Sequence, residues 1–116
     1  MKGPAFSTLA CPSWTLEEAL VKGREYGYRG VELRLVDGEL IDDSMPAGER
    51  RRVGALLAES GLDLVAVDSS IRLSEGEPEV VAAEIARFLE LASAWGSPLI
   101  RVFGGPGERH SAVRAL

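Results

Sequence analysis

The chain has 116 residues, of which 46% are hydrophobic, and its formal net charge is −5. That length suits one domain with a modest core, and the composition excludes intrinsic disorder. The acidic balance argues against a nucleic-acid partner, because phosphate contacts need a clustered basic surface. No apolar run reaches the length of a membrane span, and the single cysteine, Cys11, permits no internal disulfide. We therefore expect a cytoplasmic protein with no nucleic-acid and no membrane partner.

Apolar runs with strand character alternate along the chain with segments of helical character. Residues 5–10 form the first such run. Thr15 and Glu18 have the spacing of a capping box, so a helix is expected to begin there and to end at Gly27. Residues 30–36 then predict the second strand.

The rest of the chain repeats this order. The expected elements are a loop (37–48), a helix that ends at Gly61, a strand (62–70), a helix from Pro78 to Gly96, a strand (98–105) and the opening of a fourth helix (106–116). The helix-ending glycines Gly27, Gly61 and Gly96 are 34 and 35 residues apart, which indicates a repeated helix–strand unit. Strict alternation of this kind implies parallel strands with right-handed crossovers, in either an open doubly wound sheet or a (β/α) barrel.

Three of the expected strands have one aliphatic face and one face that carries charge, because side chains alternate along a strand. The aliphatic faces hold Val31, Leu33 and Leu35, then Val65 and Val67, then Ile100 and Val102. The opposite faces hold Glu32 and Arg34, then Leu64, Ala66 and Asp68, then Leu99, Arg101 and Phe103. Helices cover both faces of a doubly wound sheet, whereas a barrel can carry polar groups on its inner face near the mouth. The charges therefore favour a barrel of TIM type.

A complete TIM barrel needs about 250 residues. We therefore interpret residues 1–116 as one domain that holds about the first four βα-units, a half-barrel truncated in its fourth helix. A half-barrel exposes two sheet edges and an open interior. It is expected to pair with a second copy, as a homodimer, or with a missing C-terminal half.

Three segments, "GYRGVELR", "GLDLVAVDSS" and "AWGSPLIRVFGG", together resemble the sugar phosphate isomerase/epimerase family with the xylose-isomerase-like TIM barrel. The resemblance runs over essentially the whole chain. It implies a divalent metal as cofactor, a small polar substrate such as a sugar or sugar phosphate, and proton transfer next to a carbonyl through an enediolate. The metal ligands that it implies lie on later strands, beyond residue 116. No metal ligand and no catalytic residue can therefore be assigned in this chain.

The resemblance and the face pattern together make Glu32, Arg34, Asp68 and Arg101 the candidate substrate-binding residues. Arginine can hold a carboxylate or phosphate by two parallel hydrogen bonds. The structural alternative is a salt-bridge network that closes the barrel floor, with Asp68 capping a turn. The glycine-rich segment 104–107 is either a plain turn or a cradle for a phosphate.

Two functions agree with these patterns. The first is the N-terminal half of a metal-dependent sugar or sugar-phosphate isomerase or epimerase. The alternative is a non-catalytic half-barrel that self-associates as a binding or assembly module.

Overall fold

The computed structural model describes residues 3–104 and, for residues 110–114, the backbone. Its strands are β1 (Ala5–Ser7), β2 (Gly30–Leu33), β3 (Leu35–Val36), β4 (Glu39–Leu40), β5 (Asp63–Arg72), β6 (Leu99–Phe103) and β7 (His110–Arg114). Its helices are α1 (Leu16–Glu25), α2 (Ala47–Ser60) and α3 (Pro78–Ala94), with a short 3₁₀ turn at Thr8–Ala10. None of the helices in the described part of the chain combines the length and the apolar composition that a membrane span requires.

The main sheet has the strand order β1-β2-β5-β6-β7. The pairings β1–β2, β2–β5 and β5–β6 are parallel. One of the three helices lies in each connection between successive parallel strands. The strands therefore lie side by side in chain order, without the reversal that defines a doubly wound sheet. This is the arrangement of the first strands of a (β/α) barrel, so the predicted fold class is confirmed as a partial barrel.

The helix boundaries follow the predicted local signals. The Thr15 hydroxyl accepts a hydrogen bond from the Glu18 backbone N–H, and the Glu18 carboxylate accepts one from the Thr15 backbone N–H, each at 3.1 Å. This reciprocal pair is the predicted capping box at the start of α1. The predicted stop residues Gly27, Gly61 and Gly96 all have positive φ, between 74° and 90°, which glycine adopts without steric cost.

The expected loop at 37–48 is wrong over its first residues. Leu35–Val36 and Glu39–Leu40 pair as an antiparallel hairpin, and the predicted strand at 30–36 is interrupted at Arg34. Asp37 and Gly38 form the two-residue turn, with φ values of 54° and 82°. Positive φ at both central residues is the geometry of a type I′ turn, for which Asp-Gly is a preferred pair.

The expected opening of a fourth helix is also wrong over residues 110–114. These residues form β7, which pairs antiparallel with β6 in a register that joins Arg101 to Ala112. In a complete barrel the neighbour of β6 would be another parallel strand. Gly105 to Gly107, most of the predicted glycine-rich turn, lie outside the described residues.

The face assignment of the third predicted strand needs one correction. The pairing of β2 with β5 shifts register between Val31 and Glu32, so that Val31 is opposite Leu64 but Glu32 is opposite Ala66. Val65 is the extra residue of this bulge. Leu64 therefore lies in the hydrophobic core with Val67, whereas Val65, which had been predicted for the aliphatic face, is only half-buried.

The core lies between the sheet and its helices. Residues of the strands and of the helices form one cluster: Val31, Leu33, Val67, Ile100 and Val102 from the sheet, with Leu16, Leu20, Val53, Leu57, Phe88 and Leu91 from α1, α2 and α3. The five strand residues are at most 1% exposed. Burial of a side chain of this kind stabilises the fold by about 1.5–3 kcal/mol, so this face determines how the strands are oriented. The other face of the sheet carries the charged residues.

The contact between α1 and β1 gives a test of the packing. A Cβ atom on Gly23 would lie 2.2 Å from the Phe6 ring, so Gly23→Ala should destabilise the protein by about 1–3 kcal/mol despite the better helix propensity of alanine. Gly48, in the first turn of α2, has no such neighbour, because the Cβ would lie 3.9 Å from the nearest atom, on Arg51. Gly48→Ala is the matched control, for which urea unfolding should show no loss of stability. Equal effects of the two substitutions would contradict this packing.

Candidate functional site

The candidate site is the charged face of the sheet, where strand register places acidic and basic side chains side by side. Asp68 on β5 and Arg101 on β6 are directly paired positions of neighbouring parallel strands. Glu32 lies on β2, on the other side of β5. Arg34 follows the last residue of β2. The four candidate residues of the sequence analysis are thus brought together by three adjacent strands, and we call them the inner-face cluster.

Arg101 connects the outer two strands of this cluster. Its Nε donates a hydrogen bond of 2.7 Å to Oε1 of Glu32, so the side chain reaches across β5. The same Nε lies 3.9 Å from Oδ1 of Asp68, which is too long for a hydrogen bond. The hydrogen bond to Glu32 raises the pKa of Arg101 above its ordinary value. Glu32 is therefore the main counter-ion of Arg101.

Asp68 is the most buried charged group of the cluster, with 11% of its side chain exposed. Its Oδ1 is buried and accepts no hydrogen bond from the described residues. Burial raises the pKa of Asp68 to about 8, and the hydrogen bond and negative charge of Glu32 act in the same direction. The positive charges of Arg101 and Arg34 oppose this rise. At neutral pH Asp68 is therefore mostly protonated and shares a hydrogen bond with the Glu32 carboxylate.

Arg34 is anchored by neutral groups. Its Nη1 donates a hydrogen bond of 2.5 Å to the Ser69 carbonyl on β5, and its guanidinium carbon lies 5.5 Å from the centre of the Phe103 ring. The backbone N–H groups of Arg34 and Leu35 both donate to the Thr8 hydroxyl, at 3.0 and 2.9 Å. These backbone bonds hold the chain where β2 ends, and thereby position the arginine.

Sequence reasoning missed two residues beside this cluster. The guanidinium carbon of Arg72 lies 5.0 Å from the centre of the Phe103 ring. The predicted strand ended at residue 70, whereas β5 continues to Arg72. Extending the two-residue alternation from Asp68 would have placed Arg72 on the same face. Phe103 had been assigned to the charged face, but without a role.

Cys11 does not join the cluster. Cys11 is half-buried, its thiol donates to the Thr8 carbonyl at 3.6 Å, and burial raises its pKa. A raised pKa keeps the thiol protonated, which does not favour a nucleophile. The side chain of His110, the single histidine, lies outside the described residues.

The described residues do not fit the metal that the family resemblance implies. Among them, no three His, Cys, Asp or Glu side chains are close enough together to hold a metal ion. Glu32 and Asp68 supply only two carboxyl groups, and Arg101 already bonds to Glu32. Two carboxyl groups beside a guanidinium group make a poor cation site, because the arginine neutralises the ligand charge.

A separate groove of about 450 Å³ lies between α1 and α2 and is lined by Leu20, Val21, Arg24, Leu56 and Glu59, among others. It shares no residue with the inner-face cluster. The groove is therefore on the helical side of the sheet, away from the charged groups.

Comparison with known proteins agrees with the geometry at the level of fold. No protein-family model and no curated protein matches the chain. A solved structure, described as a xylose isomerase-like TIM barrel/4-hydroxyphenylpyruvate dioxygenase fusion protein, superposes with a TM-score of 0.65 over 84% of this chain, at 24% sequence identity. The chain has the xylose isomerase-like TIM-barrel fold, as a partial barrel. It spans 15% of the length of that fusion protein, and at this identity the similarity shows the fold alone.

The raised pKa of Asp68 predicts a specific dependence of stability on pH. The folded protein keeps the proton on Asp68 up to a pKa of about 8, whereas the unfolded chain releases it near the ordinary value of 3.8. Unfolding therefore releases a proton between about pH 4 and pH 8, and the contribution of Asp68 to the free energy of unfolding falls as pH rises through this window. The decrease should be on the order of a few kcal/mol.

Asp68→Asn keeps the shape of the side chain but removes the titrating carboxyl group. The variant should therefore lack the fall in the free energy of unfolding that is due to Asp68. Urea unfolding at a series of pH values should show that wild type loses stability relative to the variant from pH 4 to pH 8. Parallel curves for the two proteins would show that the pKa of Asp68 is not raised.

The coupling within the cluster can be measured separately. Glu32→Gln removes the neighbouring negative charge, so the pKa of Asp68 should fall. Arg101→Gln removes an opposing positive charge, so the pKa should rise. Carboxyl ¹³C NMR titration of Asp68 would report both shifts. Shifts in the same direction, or none, would be inconsistent with the described contacts.

Proposed function

We propose that this chain forms the N-terminal half of a sugar or sugar-phosphate isomerase- or epimerase-like barrel, and that the inner-face cluster is one wall of its substrate site. The observation that supports this most directly is the carboxyl pair of Glu32 and Asp68. Burial raises the pKa of Asp68 to about 8, and the neighbouring Glu32 acts in the same direction. A pair of this kind can give a proton to an oxygen, or take one from a carbon, without a large cost at physiological pH.

The arginines supply the second requirement of such a reaction. A proton beside a carbonyl is removed more easily when the developing negative charge on oxygen is stabilised. Arg101 is bonded to Glu32 on one side, and two-fifths of its side chain remains accessible from the interior of the barrel. In this proposal Arg101 orients a substrate oxygen, and the carboxyl pair exchanges the proton.

In this proposal, the metal that the family resemblance implies is bound by residues beyond 116. In the proposed complete enzyme it would assist the polarisation of the substrate carbonyl. The described residues do not form a site for it, so no step of the reaction is assigned to it in this chain.

The second candidate is a half-barrel that self-associates as a binding or assembly module. It is favoured by the partial exposure of the inner face, where 40% of the Arg101 side chain is accessible. Size-exclusion chromatography with light scattering distinguishes this candidate. A dimer whose formation requires the inner face, tested with Arg101→Gln, would support it, and a monomer at all accessible concentrations would exclude it.

The reading frame downstream of Leu116 provides the first test of the enzyme proposal. We expect it to encode further strand ends that carry Glu, Asp and His. The protein that includes these residues should exchange substrate C–H protons with D₂O, measured by ¹H NMR over a panel of aldoses, ketoses and their phosphates. Residues 1–116 alone should show little or no exchange.

In that longer protein, Asp68→Asn should lower the exchange rate by about 100-fold or more, because a positioned acid–base group typically contributes 10²–10⁴-fold. Arg51→Gln, on the exposed side of α2, is the control and should retain full activity. Unchanged exchange in the Asp68 variant would remove the carboxyl pair from the mechanism.

A further inference from the structure

The end of β2 is held by a side chain from the connection between β1 and α1. The hydroxyl of Thr8, in the 3₁₀ turn that follows β1, accepts the backbone N–H groups of both Arg34 and Leu35, at 3.0 and 2.9 Å. Thr8 is 3% exposed, so these two hydrogen bonds are shielded from water. Because buried backbone N–H groups need an acceptor, loss of this hydroxyl would disturb the chain at this point.

The two hydrogen bonds explain why the strand is interrupted at Arg34. In an extended strand, successive N–H groups point to opposite sides, so one acceptor can bind both only where the backbone bends. Leu33 precedes the bend and Leu35 and Val36 follow it, and all three are buried. Two consecutive buried residues break the two-residue alternation of a strand. The bend thus lets the chain bury Leu35 and Val36 while Arg34 stays in the inner-face cluster.

The bend fixes where the Arg34 side chain starts, and its guanidinium group reaches β5. There Nη1 donates a hydrogen bond of 2.5 Å to the carbonyl of Ser69, the residue that directly follows Asp68. The backbone of Arg34 is thus held by one neutral acceptor and its guanidinium group by another. The contacts from Thr8 through Arg34 to Ser69 connect the turn after β1 with β2 and β5, next to the buried carboxyl group of Asp68.

Arg34 is one of the charged groups that act on Asp68. Glu32 on β2 raises the pKa of Asp68, whereas Arg101 on β6 and Arg34 oppose that rise. Arg101 is bonded to Glu32 at 2.7 Å, and this ion pair does not involve Arg34. Displacement of Arg34 would therefore change the charge that acts on Asp68 and leave the ion pair of Arg101 with Glu32 in place.

We propose that Thr8 is a positioning residue of the inner-face cluster: its hydroxyl holds the backbone bend at Arg34, and the bend places the guanidinium group beside Asp68. A turn without any charged side chain, Thr8–Ala10, thereby takes part in the proposed site. In the proposed enzyme, Thr8 would influence the pH at which Asp68 exchanges its proton. That consequence rests on the proposed function, whereas the link between Thr8, Arg34 and Asp68 is a property of the folded chain.

Two substitutions of Thr8 in the 116-residue chain separate the hydroxyl from the shape of the side chain. Thr8→Val keeps the shape but cannot accept the two N–H groups, so Arg34 should move and the pKa of Asp68 should rise. Thr8→Ser keeps the hydroxyl, and the pKa should stay at its wild-type value. Carboxyl ¹³C NMR titration of Asp68 measures both. An equal rise with both substitutions, or no rise with Thr8→Val, would overturn the inference.

A double-mutant cycle determines whether Thr8 acts through Arg34. Arg34→Gln alone should raise the pKa of Asp68, because it removes an opposing positive charge. In the Arg34→Gln background, Thr8→Val should cause no further rise, since the side chain that Thr8 positions then carries no charge. Additive shifts would show that Thr8 acts on Asp68 by another route and would overturn the proposed link.

Gly23→Ala is the control for a general loss of stability. It disturbs the contact of α1 with Phe6 on β1 and is expected to destabilise the fold, but it changes no contact of the inner-face cluster. The pKa of Asp68 should therefore be unchanged in this variant, with circular dichroism to confirm that each variant is folded. A rise as large as that with Thr8→Val would show that the titration reports destabilisation alone, and the inference would fail.

The wild-type chain provides a test that holds even if Thr8→Val does not fold. The backbone amides of Arg34 and Leu35 should exchange slowly with D₂O, because both are bonded to a buried hydroxyl. Rapid exchange at either amide would overturn the inference. None of these measurements needs turnover. An inactive protein with the expected shifts would leave this inference standing without the isomerase proposal, and an active one in which Thr8→Val leaves the pKa of Asp68 unchanged would do the reverse.

Discussion

The arrangement of Asp68 between Glu32 and Arg101 depends on the register of three parallel strands. That register is determined on the opposite face, where Val31, Leu33, Val67, Ile100 and Val102 are almost completely buried against the helices. A shift by one residue would move these side chains out of the core and the charges into it. The free energy that holds the inner-face cluster together therefore comes mainly from aliphatic packing, and the charged groups occupy the positions that this packing leaves on the other face.

The helix boundaries and most of the strand faces could be predicted from the sequence, because helix stops, capping and two-residue alternation are local signals. The convergence of Glu32, Arg34, Asp68 and Arg101 followed from alternation and parallel order alone. The exceptions were the faces of Leu64 and Val65, because a bulge adds one residue to a strand without any change in its hydrophobic pattern. Residues 110–114 were assigned to a helix for a related reason: pairing with an available strand edge depends on tertiary structure, which overrides local propensity. The hairpin at Asp37–Gly38, in contrast, had a recognisable signal that went unused.

The pairing of β7 with β6 bears on how the barrel could be completed. An unpaired edge strand presents backbone donors and acceptors to any other chain, and proteins commonly cover such edges. Here the covering strand is antiparallel, whereas the next strand of a (β/α) barrel must be parallel. Closure through β6, by a second copy or by a C-terminal half, would therefore require β7 to leave this edge. At the other end of the sheet β1 is only three residues long, which limits the hydrogen bonds that a partner can gain there.

A partial barrel has a simple reason to carry charge on its inner face. An aliphatic face open to water would be an exposed hydrophobic patch that promotes aggregation. That reason explains Arg101, whose side chain is 40% exposed and gains hydration at little cost. It does not explain Asp68, whose side chain is only 11% exposed. A buried carboxyl group adds nothing to solubility, and its raised pKa measures how unfavourable the charged form is at that position. Groups that are costly in this way are concentrated at sites that transfer protons or bind ligands, and this cost favours a functional over a merely solubilising role for the cluster.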